Sequence, residues 1–524
     1  MALRRATVAA ALAALAACGG GGGEGDQSGC RGDCAATPAA LDVTDVERVV
    51  RQAVHEAQAR GAFATVAVVD RVGNVLAVFQ MTGAAPTVRV GTNRGVTSGL
   101  EGAMVPAELA AIAKAITGAY LSSEGNAFSS RTASQIVQEN FNPGERNSPS
   151  GPLFGVQFSS LTCSDVVRVS PAVTNGPKGT PLGLSADPGG LPLYKSGTVV
   201  GGVGVIADGA YGLDPNIFDV DQDLDELIAV AGARGFDAPV NRRADRITAD
   251  GRTLRYVDSE ATLSDPASAP AFGMLPGALA DVPNFFSPPA ARAGTAFGTN
   301  ASGYRPATDP AFAGLNAFVL DDGSGTNRFP PRAGTDGLMT QVEVEAILVD
   351  ALRVANRTRA QIRQPLGSPA HVSITVVDTN GEILGLVRTR DGPVFGTDVS
   401  VQKARGALQF SHPSAASELA ALAGIAVYVN AMQALIPNAL SDGTAFSART
   451  LGNLARPFLP DGINTSSAPG PLSRAFADWS PFSTGISSRR NALTPCFSSG
   501  AAAARPSAIS IARPSSSRSD ACGA

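Results

Sequence analysis

One fourteen-residue pattern occurs twice. VAVVDRVGNVLAVF, from Val66 to Phe79, returns as ITVVDTNGEILGLV, from Ile374 to Val387. Apolar side chains flank an Asp-x-x-Gly turn in both, Asp70 to Gly73 and Asp378 to Gly381, which is the signature of a β-hairpin. A repeated hairpin implies a repeated domain. The chain has 524 residues, 44% of them hydrophobic, which is enough for two cores or more.

The flanking blocks repeat in the same order. Val43 to Arg60 reads as an amphipathic helix, with Thr44 as N-cap and Glu47 closing a capping box, and Gly61 as its stop. Thr340 and Glu343 play the same parts before a helix through Ile347, Leu348, Ala351 and Leu352. Beyond each hairpin comes a lysine-bearing helix, Glu108 to Leu121 with Lys114 in the first copy and the segment around Lys403 in the second. Phe128-Ser129-Ser130-Arg131-Thr132 then answers to Phe446-Ser447-Ala448-Arg449-Thr450. An insert from His412 to Pro437 lengthens the second copy and contains a helix near Glu418 to Leu435. Only the first copy continues into Pro188-Gly189-Gly190-Leu191-Pro192 and a buried strand from Val199 to Ile206. The second must complete its sheet by other means.

The N-terminus is read as an address. Arg4 and Arg5 precede an apolar run from Ala6 to Ala17, the length of a signal-peptide core and too short for a membrane span. Leu15-Ala16-Ala17-Cys18 resembles a lipobox, which makes Cys18 the lipidation site and Gly19 to Gly23 a tether. Gly19 at the following position favours outer-membrane sorting, hence a periplasmic or cell-surface protein. With Cys18 acylated, Cys30, Cys34, Cys163, Cys496 and Cys522 remain, an odd number in an oxidising compartment. Lys+Arg 41 against Asp+Glu 45 gives no basic footprint for nucleic acid. Three histidines without a Cys/His cluster argue against a zinc centre.

Between the copies, Asp237 to Asp336 is rich in Pro, Gly, Ala and Asp. It holds one candidate hairpin around Asp250-Gly251 and an irregular stretch from Pro276 to Pro306. Such a length suits either a disordered connector or a strap laid over both domains. Asp219, Asp221, Asp223 and Asp225 alternate like calcium ligands, but Leu224 stands where the loop glycine belongs, so an acidic helix start is the better reading.

A capped helix, a VAVVDxxGNxLA hairpin, a Lys-Ala helix, a Pro-Gly-Gly-Leu-Pro turn and a VVGGVGV strand together resemble the GlcG/HbpS-like family, also found as the C-terminal domain of PduO-type proteins. The resemblance covers about Val43 to Phe236 and, more partially, Met339 to Gly485. It implies an α/β fold of the α+β kind, a central, mostly antiparallel sheet flanked by helices, often oligomeric and in several members able to bind haem. The expected layout is a signal peptide and lipobox (1–18), tether (19–42), first domain (43–236), Pro/Gly-rich connector (237–337), divergent second domain (338–490) and low-complexity tail (491–524).

Lys114, Arg131, Lys403 and Arg449, with Phe128 or Phe446 beside an apolar slot, are candidates to bind carboxylates such as haem propionates. The plainer alternative is ion pairing within each domain. His412 ends a helix at a loop and is the candidate axial iron ligand, or else a helix C-cap. No CxxCH is present, so a haem would be held noncovalently. Nucleophile elbow, Walker loop and HExxH are all absent from the sequence, so no catalytic residue is assigned. The leading reading is a lipid-anchored binding protein for haem or another small cofactor, with homo-oligomerisation as a further expectation. A non-catalytic interaction module built as an internal pseudo-dimer stands second, and a small-metabolite enzyme of the glycolate-associated branch third.

Overall fold

The computed structural model describes residues 39–482 apart from 94, 98, 139–150, 163, 165, 168–174, 218, 250, 259–260, 423, 461–467, 475–477, 479 and 481. The signal, lipobox and tail readings, with Cys18, Cys30, Cys34, Cys163, Cys496 and Cys522, lie outside the described residues. Along the first part of the chain come α1 (Val43–Ala59), β1 (Thr65–Asp70), β2 (Val75–Met81), β3 (Thr87–Val90), β4 (Met104–Pro106), α2 (Ala107–Leu121), α3 (Ser130–Val137), β5 (Gly190–Lys195), β6 (Thr198–Ile206), β7 (Ala210–Tyr211) and α4 (Leu224–Ala233). The connector contributes β8 (Thr248–Ala249), β9 (Arg252–Thr253), β10 (Gly277–Leu279), β11 (Tyr304–Pro306) and β12 (Ala317–Leu320). The second part has α5 (Gln341–Arg357), β13 (Ser373–Val377), β14 (Ile383–Thr389), α6 (Gly396–Ser411), α7 (Ala415–Ala420), α8 (Ala426–Leu435) and α9 (Ala448–Leu454). The fold is α+β, with helices flanking mostly antiparallel sheets.

Both repeated segments are hairpins with one register. Val66 faces Phe79 and Ile374 faces Val387, and each first strand bulges at the same place, Val68/Val69 and Val376/Val377. Each turn is tied by its aspartate. Asp70 Oδ1 accepts from the backbone of Val72 and Asn74, and Asp378 Oδ1 from Asn380 and Glu382. Gly73 and Gly381 close these turns at φ +84° and +75°, where a side chain would be strained.

The first sheet runs β10-β2-β1-β6-β5. α1 and α4 cover one face and α2 the other. The Val/Gly strand reads as it does because α2 lies directly on β6. A Cβ on Gly202 would stand 2.1 Å from Ala115 O, and one on Gly204 2.2 Å from Ala111 O. The N-cap of the helix before the hairpin lies two residues earlier than expected. Asp42, not Thr44, is the N-cap, and Asp45 completes the capping box, because a carboxylate at Asp42 can reach the Asp45 amide at 2.8 Å. Thr340 and Glu343 form the box expected of them.

The connector is a strap, and it too is duplicated. PASAPAFGMLPGALAD, 266–281, matches PATDPAFAGLNAFVLD, 306–321, and Arg-Ala-Gly-Thr ends both segments, at 292–295 and 332–335. Each copy serves one hairpin. β10 pairs with β2 and β12 with β14. Arg292 N donates to Leu76 O and Arg332 N to Leu384 O, both at 2.9 Å. Thr295 gives its amide and hydroxyl to Asp70 Oδ2, as Thr335 does to Asp378 Oδ2. The stretch from Pro276 to Pro306 is therefore an edge-forming element with its own strands, which its Pro and Gly content conceals.

The second sheet runs β11-β12-β14-β13. It is completed on the β14 side by the strap, and β13 forms its other edge. The helix expected near Glu418 to Leu435 is two helices, α7 and α8, which close a small separate core around Phe410, Leu419, Met432 and Phe446.

Candidate functional site

The cations singled out in the sequence occupy matching positions but opposite surroundings. Ser122 Oγ, just after α2, accepts from Phe128 N at 3.0 Å, and Ser411 Oγ, at the end of α6, accepts from Phe446 N at 2.8 Å. Ser129 and Ser447 then N-cap α3 and α9, accepting from the amides of Thr132 and Thr450. These ties place Arg131 and Arg449 alike, at the second helical residue.

In the first unit both cations are enclosed. Lys114 is fully buried and meets Asp187 Oδ2 at 2.5 Å and Asp225 Oδ2 at 2.6 Å. Burial alone would pull its ammonium down, but Asp187 and Asp225 outweigh it and hold the lysine above its ordinary value. Asp187 itself is pushed up to about 6, chiefly by burial. Arg131 is also fully buried, against Glu226 at 2.8 Å, Asp214 at 2.9 Å, and Asp221 and Asp258 at 3.0 Å. Glu226 is pushed up to about 7 by burial, which Arg131 only partly offsets. Oxygens of Asp214, Asp221 and Asp258 lie close enough to one another for a metal ion, but the guanidinium already stands among them. Phe128 packs into the main core at 5% exposure and lines no open slot.

Three of the four alternating aspartates are thus accounted for, and Asp219 is exposed. Asp221 pairs with Arg131, Asp223 caps α4 and Asp225 pairs with Lys114. They form an acidic helix start, with Asp221 and Asp225 spent on the buried cations.

In the second unit the counterparts are bare. Lys403 and Arg449 are exposed, and among the described residues neither has a carboxylate partner. Lys403 is held below its ordinary value by partial burial of its stem and by Arg449 nearby. Phe446 is buried at 5% in the helical core. His412 C-caps α6, half-buried, with Nδ1 2.5 Å from Ser414 Oγ. Ser414 Oγ donates onward to Glu418, and the Ser414 backbone N–H donates to His412 Nδ1 at 3.2 Å, so Ser414 holds the ring through Nδ1. The acids of the first unit were not legible as partners, because Lys114 and Asp225 are separated by 111 residues.

The family model described as "Haem degrading protein HbpS-like" matches residues 348–447. That span belongs to the second unit, where the sequence motifs were sparser, and not to the first. Among solved structures, the PduOC:heme complex is 19% identical, with 37% of this chain and 94% of that chain covered and a TM-score of 0.23. The Klebsiella pneumoniae protein ORFY is 18% identical, covering 38% and 94%, TM-score 0.22. Streptomyces reticuli HbpS, as a double mutant, is 22% identical, covering 40% and 94%, TM-score 0.22. The search of curated proteins finds no match.

Proposed function

We propose that the chain is a lipid-anchored, extracytoplasmic binding protein built from two HbpS-like units in tandem, and that the second unit takes a carboxylate-bearing cofactor, haem or a related tetrapyrrole. One observation carries this reading. Lys114 and Arg131 are neutralised by carboxylates of their own unit, whereas Lys403 and Arg449, at the same positions, have none among the described residues. Two unpaired cations suit two propionates, and charge-assisted bonds to carboxylates are the strong ones. His412 supplies an imidazole held through Nδ1 by Ser414, which leaves Nε2 as the nitrogen to ligate iron once it carries the lone pair. A bound haem would bring its iron as the site of axial ligation. The first unit does not fit such a ligand, since its cations are occupied. The Leu15-Ala16-Ala17-Cys18 sequence supports the anchor and the extracytoplasmic location.

Titration of the mature chain with haemin tests this. A saturable Soret shift, lost in His412→Ala and weakened at least tenfold in Lys403→Met with Arg449→Met, is expected. A signal unchanged in both variants refutes the assignment. The second reading, an interaction module, is favoured by a separate observation: Ile347 and Val354 on α5 are 45% and 57% exposed, beside an uncovered β13 edge.

A further inference from the structure

The two units differ at one more matched place. Glu108 and Thr397 each stand six residues before the helix lysine, in the first turn of α2 and of α6. In the first unit Gln80 Nε2 donates to Glu108 Oε1 at 3.3 Å, so a carboxylate sits at the positive end of the helix. Gln80 lies across from Thr65, and the residue in its register place in the second hairpin is Arg388, across from Ser373. The second unit has Thr397 in place of that carboxylate and has gained a cation, while the next residue, Asp398, is held by Ser160 N at 2.6 Å and by Ser164 and Gln402.

Arg388 is fully buried, and apart from an interaction with the Tyr304 side chain neither Nη1 nor Nη2 makes a well-formed hydrogen bond to the protein. Its Nε reaches Thr389 O only at 3.4 Å. The guanidinium lies over the Tyr304 ring at 4.5 Å and shares the Phe297 ring with Arg71. Nearby carboxylates are already engaged. Asp391 is held by Arg71 at 2.8 Å and by Arg363, and Glu124 by Arg390. Four guanidinium groups, those of Arg71, Arg363, Arg388 and Arg390, face these two acids. Ser373 Oγ is likewise buried without a partner and borders the first residue of α6, where a Cβ on Gly396 would lie 3.5 Å from it. That helix start has no side-chain cap. A buried cation without an ion-paired carboxylate is strongly disfavoured, and burial outweighs the pull of Tyr304 and Asp391 and holds the Arg388 guanidinium below its ordinary value.

We propose that a small monovalent anion of chloride size binds between Arg388, Ser373 and the first turn of α6, in the place where the first unit keeps the Glu108 carboxylate. Arg388, Tyr304 and Thr397 are all fully buried, which restricts the occupant to a single dehydrated ion. The site is separate from Lys403 and Arg449 and does not depend on a cofactor.

The test is thermal unfolding of the full chain in chloride or bromide against gluconate at equal ionic strength. The halide is expected to raise Tm by about 2–4 °C. Thr397→Glu returns the first unit's carboxylate and should leave a folded protein whose Tm no longer responds to halide, and Arg388→Gln should also lose the response. Crystals grown in bromide should show an anomalous peak within hydrogen-bonding reach of Arg388 Nη1 or Nη2. Equal Tm in halide and gluconate for the unaltered chain, or a halide response that persists undiminished in Thr397→Glu, overturns the proposal.

Discussion

Lys114→Met and Lys403→Met together test whether matched lysines have been given different work. Lys114 bridges two buried carboxylates, so its removal leaves Asp187 and Asp225 facing each other without a cation. Breaking a buried pair by deleting one partner costs about 3–5 kcal/mol, and methionine recovers little of that because it fills the space without the charge. The penalty must depend on pH. With lysine present, burial already pushes Asp187 up to about 6, and without it both carboxylates rise further. A carboxyl group whose folded pKa lies above its unfolded one binds its proton more tightly in the native state, so the variant regains stability as pH falls. Urea unfolding followed by circular dichroism should therefore show the Lys114→Met deficit at pH 7.5 and a smaller one at pH 5. Lys403→Met, at an exposed position with no acid partner among the described residues, should stay within about 0.5 kcal/mol of the unaltered chain at both pH values. The reasoning fails if Lys114→Met costs less than about 1 kcal/mol, or if Lys403→Met costs as much as Lys114→Met.

Other outcomes follow from the same contacts. Gly202→Ala puts a methyl 2.1 Å from Ala115 O and should lower stability by about 1–3 kcal/mol or more, whereas Gly273→Ala, with nothing within 4 Å, should be nearly neutral in the same urea assay. Glu226, ordinary at 4.5 and raised to about 7 in the fold, makes stability fall as pH climbs through that interval; Glu226→Gln should flatten the slope of Tm against pH between 5 and 7. Asp391 has the opposite sign. Burial pushes it up, but Arg363 and Arg71 outweigh that and hold it below the usual carboxylate range, so its contribution is present at neutral pH and is lost in acid; Asp391→Asn should cost most at pH 7 and least near pH 2. Thr335→Val removes a hydroxyl donor from Asp378 and should cost about 1 kcal/mol, with faster hydrogen exchange at Asn380 and Glu382, the amides held by the same aspartate.

The hairpins, their aspartate turns, the lysine helices and the serine-capped helices could be read from sequence because each is local. Residues within a turn or two decide them, as when Ser129 and Ser447 cap the helices they precede. A strap is one of the two readings the sequence offers, but its strands and its duplication are not legible there, for the opposite reason. Its strands are three or four residues long, and the order they have comes from the β2 and β14 edges, which lie far away in the chain. Proline and glycine reported the irregular local backbone correctly and said nothing about those edges. The acids around Lys114 and Arg131 were visible as an alternating run, but only the fold aims Asp221 at one cation and Asp225 at the other. Asp42 displaced Thr44 as a cap within the ordinary uncertainty of a helix boundary.

One structural difference accounts for all that is uncovered in the second unit. In the first, Gln52 Nε2 donates to Ala231 O and Gly232 O at the end of α4, at 3.1 and 3.0 Å, α4 packs on Val49 and Ala53 of α1, and Ser264 N, beyond α4, donates to Glu56, so that Val49 and Glu56 are 0% and 1% exposed. β6 pairs along β1, and the segment that carries β5, β6 and α4 also brings Asp187, Asp225 and Glu226 to Lys114 and Arg131. Among the described residues the second unit has no counterpart of that segment. Ile347 and Val354, seven and fourteen residues beyond the helix cap like Val49 and Glu56, are consequently exposed, β13 is an edge, and Lys403 and Arg449 are without acids. Charge and edge were uncovered together, so a ligand that meets only the cations leaves the edge open. A partner chain that supplies an acidic strand and helix would meet both. Haemin titration in the presence and absence of the peptide 187–234 of the first unit separates these two: competition between them places the cofactor on the face that the peptide covers, and independent binding places it elsewhere.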